Sequence, residues 1–122
     1  DAHLKNFSLL ESESGDYFLS PAYDLINTRI HVDETDFALS KGLFADGFKS
    51  PIHDKTSHPG KADFIEFGKR LGIDEDRADK LLVPYLTNQT KVEELTSRSF
   101  LPADVQRGYL LDYSTKRNRL NS

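Results

Sequence analysis

The hydrophobic rhythm of the chain changes about halfway along. Two short apolar runs come first, Phe7-Ser8-Leu9-Leu10-Glu11 and Tyr17-Phe18-Leu19-Ser20, parted by the polar Ser12-Glu13-Ser14-Gly15-Asp16. β-Prone runs of this length around a polar segment, with a glycine free to take positive φ, predict a hairpin. Pro21 has no N–H to give to a ladder and ends the second strand, and a helical turn is expected over 22–28. If Glu11 faces Asp16, antiparallel register places Asn6 opposite Pro21, with Asp24 three residues further on.

Between residues 29 and 60 no period holds. Gly42, Gly47, Pro51, Pro59 and Gly60 interrupt the chain, so one short strand at 36–39 is expected and the rest reads as irregular connection. From residue 61 the period becomes helical. Ala62, Phe64, Ile65, Phe67, Gly68 and Leu71 share helical spacing, and Gly72 is placed as the residue that turns the chain out of the helix. Asp74 caps the next helix, with Glu75 and Asp76 in its first turn, where the helix dipole favours negative charge. Ala78, Leu81, Leu82, Tyr85, Leu86, Val92 and Leu95 carry the period past Pro84. That pattern predicts either one helix kinked at Pro84 or two coaxial helices broken near Asn88. Pro102 suits the first turn of a last helix, with Val105, Tyr109, Tyr113, Arg117 and Leu120 along one face. The fold class is α+β, mainly α: an N-terminal β-hairpin followed by a helical subdomain of three or four helices. The expected organisation is a single domain over 1–122, divided into 1–28, an irregular connection at 29–60 and the helical subdomain at 61–122.

Composition narrows this picture. The 122 residues are 37% hydrophobic, below the roughly 45–50% of an average soluble domain, so part of the buried surface is expected to be shared with residues outside this sequence. The chain has no methionine, which marks it as an expected piece of a longer protein. Net charge is −4, and Lys116-Arg117-Asn118-Arg119 is the one dense basic stretch, so nucleic acid is not expected as a direct ligand. No run reaches the 18 or so apolar residues of a membrane span, so no membrane partner is expected. With no cysteine there are no disulfides or thiolate metal sites, in keeping with a cytoplasmic protein.

Candidate chemistry gathers at the N-terminus. Asp1, Asn6 and Asp24 would converge at the open end of the hairpin and offer hard oxygen donors of the kind Mg²⁺ prefers. A plainer reading makes Asp1 a terminal residue, Asn6 a turn former and Asp24 the N-cap of a short helix. The spacing nevertheless follows protein-kinase catalytic loops, where an Asp takes the substrate hydroxyl proton, an Asn five residues later binds metal, and a further Asp holds the main Mg²⁺. His53, Asp54 and His58 match no zinc spacing and read as solvated loop residues, and no phosphate-cradling glycine string occurs.

Two strings then carry a resemblance. Asp1-Ala2-His3-Leu4-Lys5-Asn6-Phe7-Ser8 looks like the D-x-H-x-K-N-x-S catalytic loop, and Pro21-Ala22-Tyr23-Asp24 the P-x-Y-D metal motif, of the HipA-like serine/threonine kinases, toxins of bacterial toxin–antitoxin pairs. A looser likeness runs through Asp63 to Ile73 and Ser97 to Pro102. The resemblance implies part of a kinase-like C-terminal lobe, with Asp1 as catalytic base and Asn6 and Asp24 as Mg²⁺ ligands at the ATP phosphates. His3 and Lys5 would lie in the catalytic loop, within reach of the transferring phosphate. It further implies ATP as co-substrate and a protein substrate, often an aminoacyl-tRNA synthetase or related factor of aminoacyl-tRNA supply. An antitoxin protein would be the restraining partner. The family's glycine-rich loop and phosphate-contacting lysine precede the catalytic loop and are not among these residues, so the 122 residues by themselves are expected to transfer little or no phosphate. Two other classes stay open: a non-catalytic interaction module that keeps the motifs as scaffold, and a metal-dependent phosphohydrolase whose carboxylates activate water.

Overall fold

The computed structural model describes residues 4–32, 35–39 and 41–122. The chain divides into two compact units, Asp1–Gly42 and Leu43–Ser122.

The first unit holds a 3-10 turn at Leu4–Asn6 and the expected hairpin, β1 (Leu9–Glu11) and β2 (Tyr17–Leu19). The register differs by one residue from that expected: Leu9 pairs with Leu19, Leu10 with Phe18, and Glu11 with Tyr17 rather than Asp16. The loop sets this. Ser12 N–H donates to Asp16 O at 2.8 Å, so these two already face each other, and Gly15 N–H donates to Ser12 O at 3.0 Å. Gly15, at φ 83°, closes a three-residue connection of the turn-plus-bulge type. Because strand side chains alternate, one residue of register moves every partner to the other face. Ser20 N–H, donating to Ser8 O at 2.8 Å, extends the ladder as far as Pro21.

No helix forms over 22–28. Asp24 has φ 51°, a left-handed conformation that cannot continue a right-handed helix, and the helical turn appears instead as a 3-10 turn at Thr28–Ile30. Asn27 caps it, its Oδ1 accepting from Arg29 N–H at 3.1 Å. The strand expected at 36–39 is a run of bends. Thr35 Oγ1 donates to Phe37 O at 2.8 Å and Gly42 N–H to Leu39 O at 2.9 Å, both of which curl the segment away from extension.

Five α-helices lie in the second unit among the described residues: α1 (Pro51–Thr56), α2 (Lys61–Arg70), α3 (Glu75–Leu86), α4 (Thr90–Ser97) and α5 (Ala103–Leu120). Helix α1 interrupts a stretch expected to be irregular. Ser50 caps it, accepting from His53 N–H at 3.2 Å, and Pro51 takes the first helical position, where its missing N–H costs nothing. Helix α2 ends as expected. Gly72, at φ 78°, donates to Lys69 O at 3.0 Å, and Ile73 N–H reaches back to Gly68 O at 2.9 Å, which is the Schellman pattern. A Cβ at Gly72 would touch nothing within 4 Å. Gly72→Ala is therefore expected to cost only the backbone term, about 1 kcal/mol, read as a lowered denaturant midpoint at unchanged slope; no loss of stability would refute the cap.

Asp74 caps α3, its Oδ1 accepting from Arg77 N–H at 2.9 Å. The period that runs past Pro84 resolves into two helices with the break at 87–89, near the expected Asn88. Pro84 lies in the last turn of α3, and its carbonyl accepts from Gln89 Nε2 at 3.0 Å. Helix α5 braces this break: Tyr113 Oη accepts from Gln89 N–H at 3.0 Å, Asn121 Nδ2 donates to Leu86 O at 3.0 Å, and Arg117 bonds Asn88.

Helices α2 and α3 approach closely because Gly68 has no side chain; a Cβ there would stand 3.3 Å from that of Ala78, which is buried. Phe44 is buried beside them, edge-on to Phe48 and Phe67 at centroid distances of 5.0 and 6.1 Å. Arg70 covers this aromatic group, its guanidinium 4.6 Å from the Phe44 centroid and 5.1 Å from that of Phe48. Glu66 and Asp46 hold the same guanidinium at 2.8 and 2.9 Å. The Phe48 N–H, and then Arg70, keep the Asp46 carboxyl below its ordinary pKa. No helix among the described residues is long and apolar enough to cross a membrane.

Candidate active site

In the first unit the chain after β2 folds back so that 23–24 lie against 5–6. Asn6 is only 6% exposed, and its Nδ2 donates to the main-chain carbonyl of Asp24 at 2.7 Å. Using the amide nitrogen in this way makes Oδ1 the end of Asn6 that can ligate a cation. Asp24 presents that carbonyl from a left-handed backbone, at φ 51°. Asp is among the few residues other than glycine that accept this conformation readily.

A second cross-link runs alongside. Tyr23 Oη donates to Lys5 O at 2.9 Å and lies 2.7 Å from Ser8 Oγ. A phenol has one proton, and it is given to Lys5 O, so the Ser8 hydroxyl is the donor to Tyr23. The Lys5 carbonyl thus has a structural partner while its side chain is exposed. Asp1 and His3 lie outside the described residues. The structure brings together Asn6 and Asp24 from the candidate set and adds Ser8 and Tyr23. The sequence signal for those two was present: they are the S and Y of the two strings.

One carboxylate and one amide oxygen form a donor set that fits Mg²⁺, which is commonly held by one or two protein groups while phosphate and water complete its octahedron. Among the described residues there is no group of three or more His, Cys, Asp or Glu able to hold a metal. Among the described residues of the first unit, Asn6 and Asp24 are the candidate ligands that a hydrogen bond joins.

The second unit contains a different polar cluster. Asp63 is fully buried, and its two oxygens accept four hydrogen bonds: Ser50 N–H and His53 Nδ1 on Oδ1 at 2.9 and 3.0 Å, Ser50 Oγ and Gly60 N–H on Oδ2 at 2.7 and 2.9 Å. His53, expected in a solvated loop, instead lies on α1 with 16% of its side chain exposed. The shared carboxylate, on α2, ties His53 to that helix. Burial raises the pKa of Asp63, but the N–H groups of Gly60 and Ser50, the Ser50 hydroxyl and His53 outweigh it and hold the carboxyl below its ordinary value.

A serine, a histidine and an aspartate in contact invite comparison with a hydrolytic triad. The wiring excludes it. Ser50 Oγ donates to Asp63 and not to the imidazole, and Ser50 is 1% exposed, so no base activates it and no substrate reaches it. The cluster is structural, a carboxylate that fastens the cap of α1 to the start of α2.

Comparison with known proteins bears on the first unit and most of the second. Residues 1–92 match the model of the HipA-like C-terminal domain. A Haemophilus influenzae protein named "Putative kinase" is 27% identical over 113 residues, a match that takes in 84% of this chain and 32% of the relative. The chain thus spans about a third of that relative's length. No solved structure matches.

Proposed function

Because the chain belongs to the HipA-like C-terminal domain family, we propose that it is the metal-binding and base-bearing part of a kinase that transfers the γ-phosphoryl group of ATP to a serine or threonine hydroxyl of a protein. The observation that carries this reading is the 2.7 Å bond from Asn6 Nδ2 to Asp24 O. It joins two strings 18 positions apart that kinases use together.

In this reading Asp1 takes the proton of the acceptor hydroxyl as its oxygen bonds to the γ-phosphorus, and ADP departs with the electron pair of the broken P–O bond. Asn6 and Asp24 would hold Mg²⁺, which would supply positive charge against the phosphates. Buried Asn6 fixes where that charge is met, so little reorganisation is needed as the transition state forms. In the same reading His3 or Lys5 contacts the transferring phosphate. The protein substrate is a component of aminoacyl-tRNA supply, an aminoacyl-tRNA synthetase or related factor. The partner that restrains the enzyme is an antitoxin protein, and the compartment is the cytoplasm.

The test is transfer by the full-length protein that carries this sequence. With γ-labelled ATP, Mg²⁺ and a bacterial protein extract, label is expected on serine or threonine and is expected to vanish when EDTA removes the metal. Phosphate release from simple esters without ATP would replace this reading with a phosphohydrolase. Neither transfer nor nucleotide binding would leave an interaction module.

A further inference from the structure

Two residues of the motifs have no ligand role in the proposed function, yet they bond to each other. Ser8 follows Asn6 by two positions and Tyr23 immediately precedes Asp24, so each is a near neighbour of a candidate ligand. The Tyr23 hydroxyl stands at the centre of a short chain in which Ser8 Oγ donates to Tyr23 Oη at 2.7 Å and Tyr23 Oη donates to Lys5 O at 2.9 Å. This chain lies one residue along from the Asn6 Nδ2 to Asp24 O bond. The backbone of 5–6 is thus tied to that of 23–24 at two successive points. We infer that Tyr23, with Ser8 as its donor, is a positioning residue that sets the separation of Asn6 and Asp24 and thereby the affinity of the site for Mg²⁺.

Three considerations support it. The Asn6 bond alone is a single pivot about which the two segments can rotate, and the Tyr23 bridge is the second point that removes that freedom. A phenol has two side-chain torsions, so it holds a distance at small entropic cost. Tyr23 is also 43% exposed, and its hydroxyl bonds compete with water, so the bridge contributes little to global stability while still ordering the ligands locally. Groups that orient metal ligands in this indirect way typically affect metal affinity or activity by about 10–100-fold.

The inference rests on the assignment of Asn6 and Asp24 as ligands, and its experiment separates the two. In the full-length protein, Mg²⁺ dependence of ATP-driven transfer is measured for the wild type, Tyr23→Phe, Ser8→Ala and the double variant, with Mn²⁺ binding followed by electron paramagnetic resonance in parallel. Tyr23→Phe keeps the ring and removes only the hydroxyl. It is expected to raise the Mg²⁺ concentration for half-maximal rate about 10-fold, with the maximal rate recovered at high Mg²⁺ and weaker Mn²⁺ binding. Ser8→Ala is expected to shift in the same direction, and the double variant to be no worse than Tyr23→Phe, because both hydroxyls act through one bridge. Unchanged Mg²⁺ and Mn²⁺ affinities in Tyr23→Phe overturn the inference and leave the ligand assignment standing. So does a rate loss that high Mg²⁺ fails to restore and that tracks a lowered melting temperature. Absence of Mn²⁺ binding and transfer in the wild type overturns both.

Discussion

Asp24→Asn in the full-length protein is expected to lower ATP-dependent transfer by on the order of 10³-fold while moving the melting temperature by no more than about 2 °C. The separation of the two effects follows from the backbone. Asp24 has φ 51°, and Asn tolerates this region as well as Asp does. The main-chain carbonyl that accepts from Asn6 belongs to the peptide and survives the substitution. What is lost is one negative charge, replaced by an amide whose nitrogen repels a cation and whose oxygen is a weaker ligand for Mg²⁺. Asp24→Ala makes the useful contrast, since it removes the carboxylate and also pays about 1–2 kcal/mol to hold a left-handed backbone. A kinase rate in Asp24→Asn equal to the wild type would remove Asp24 from the site.

Asp63→Ala is expected to destabilise the second unit by about 3–5 kcal/mol at neutral pH, read by chemical denaturation. Four donors converge on this carboxylate, and Ser50, which supplies two of them, is buried beyond the reach of water. His53→Ala should cost far less, on the order of 1 kcal/mol, because its side chain is partly exposed and its removal leaves three donors on Asp63. The effect has a definite dependence on pH. The folded pKa of Asp63 lies below its ordinary value, so its stabilisation is fully present above the unfolded value of about 3.9 and is lost as pH falls through the folded pKa. The penalty of Asp63→Ala should accordingly shrink in strong acid. A penalty that is small at pH 7, or constant into strong acid, would mean the carboxylate is not the fastener.

The parts of this protein that were legible in its sequence are those governed by neighbours in the chain. The end of α2 at Gly72 and the start of α3 at Asp74 depend on a glycine's freedom at positive φ and a carboxylate three residues from an N–H, and both were readable. So was the existence of the hairpin. Its register was not, because it is fixed by a loop-closing pair, Ser12 with Asp16, which absorbs the residue that simple counting assigns to the strand. Helix α1 has a serine cap and a proline at its first position, yet its six residues lie among prolines and glycines that mask the period. The role of His53 depends on Asp63, ten positions on, and no local pattern announces that carboxylate as buried. The candidate site shows the same division. Asn6 and Asp24 were marked by spacing and motif, whereas the bridge through Ser8 and Tyr23 exists only once the chain after β2 has folded back.

The backbone of Asp24 has a consequence for how this position can change over generations. An aspartate codon reaches asparagine, glycine or glutamate by one base. Asparagine and glycine accept φ 51° but discard the charge; glutamate keeps the charge but does not readily take a left-handed backbone and carries its carboxylate one methylene further out. Alanine, valine and tyrosine forfeit both properties, and histidine, which visits the left-handed region, loses the negative charge. Every one-base replacement of Asp24 by another residue therefore gives up shape or charge, and only the change to the synonymous aspartate codon is level.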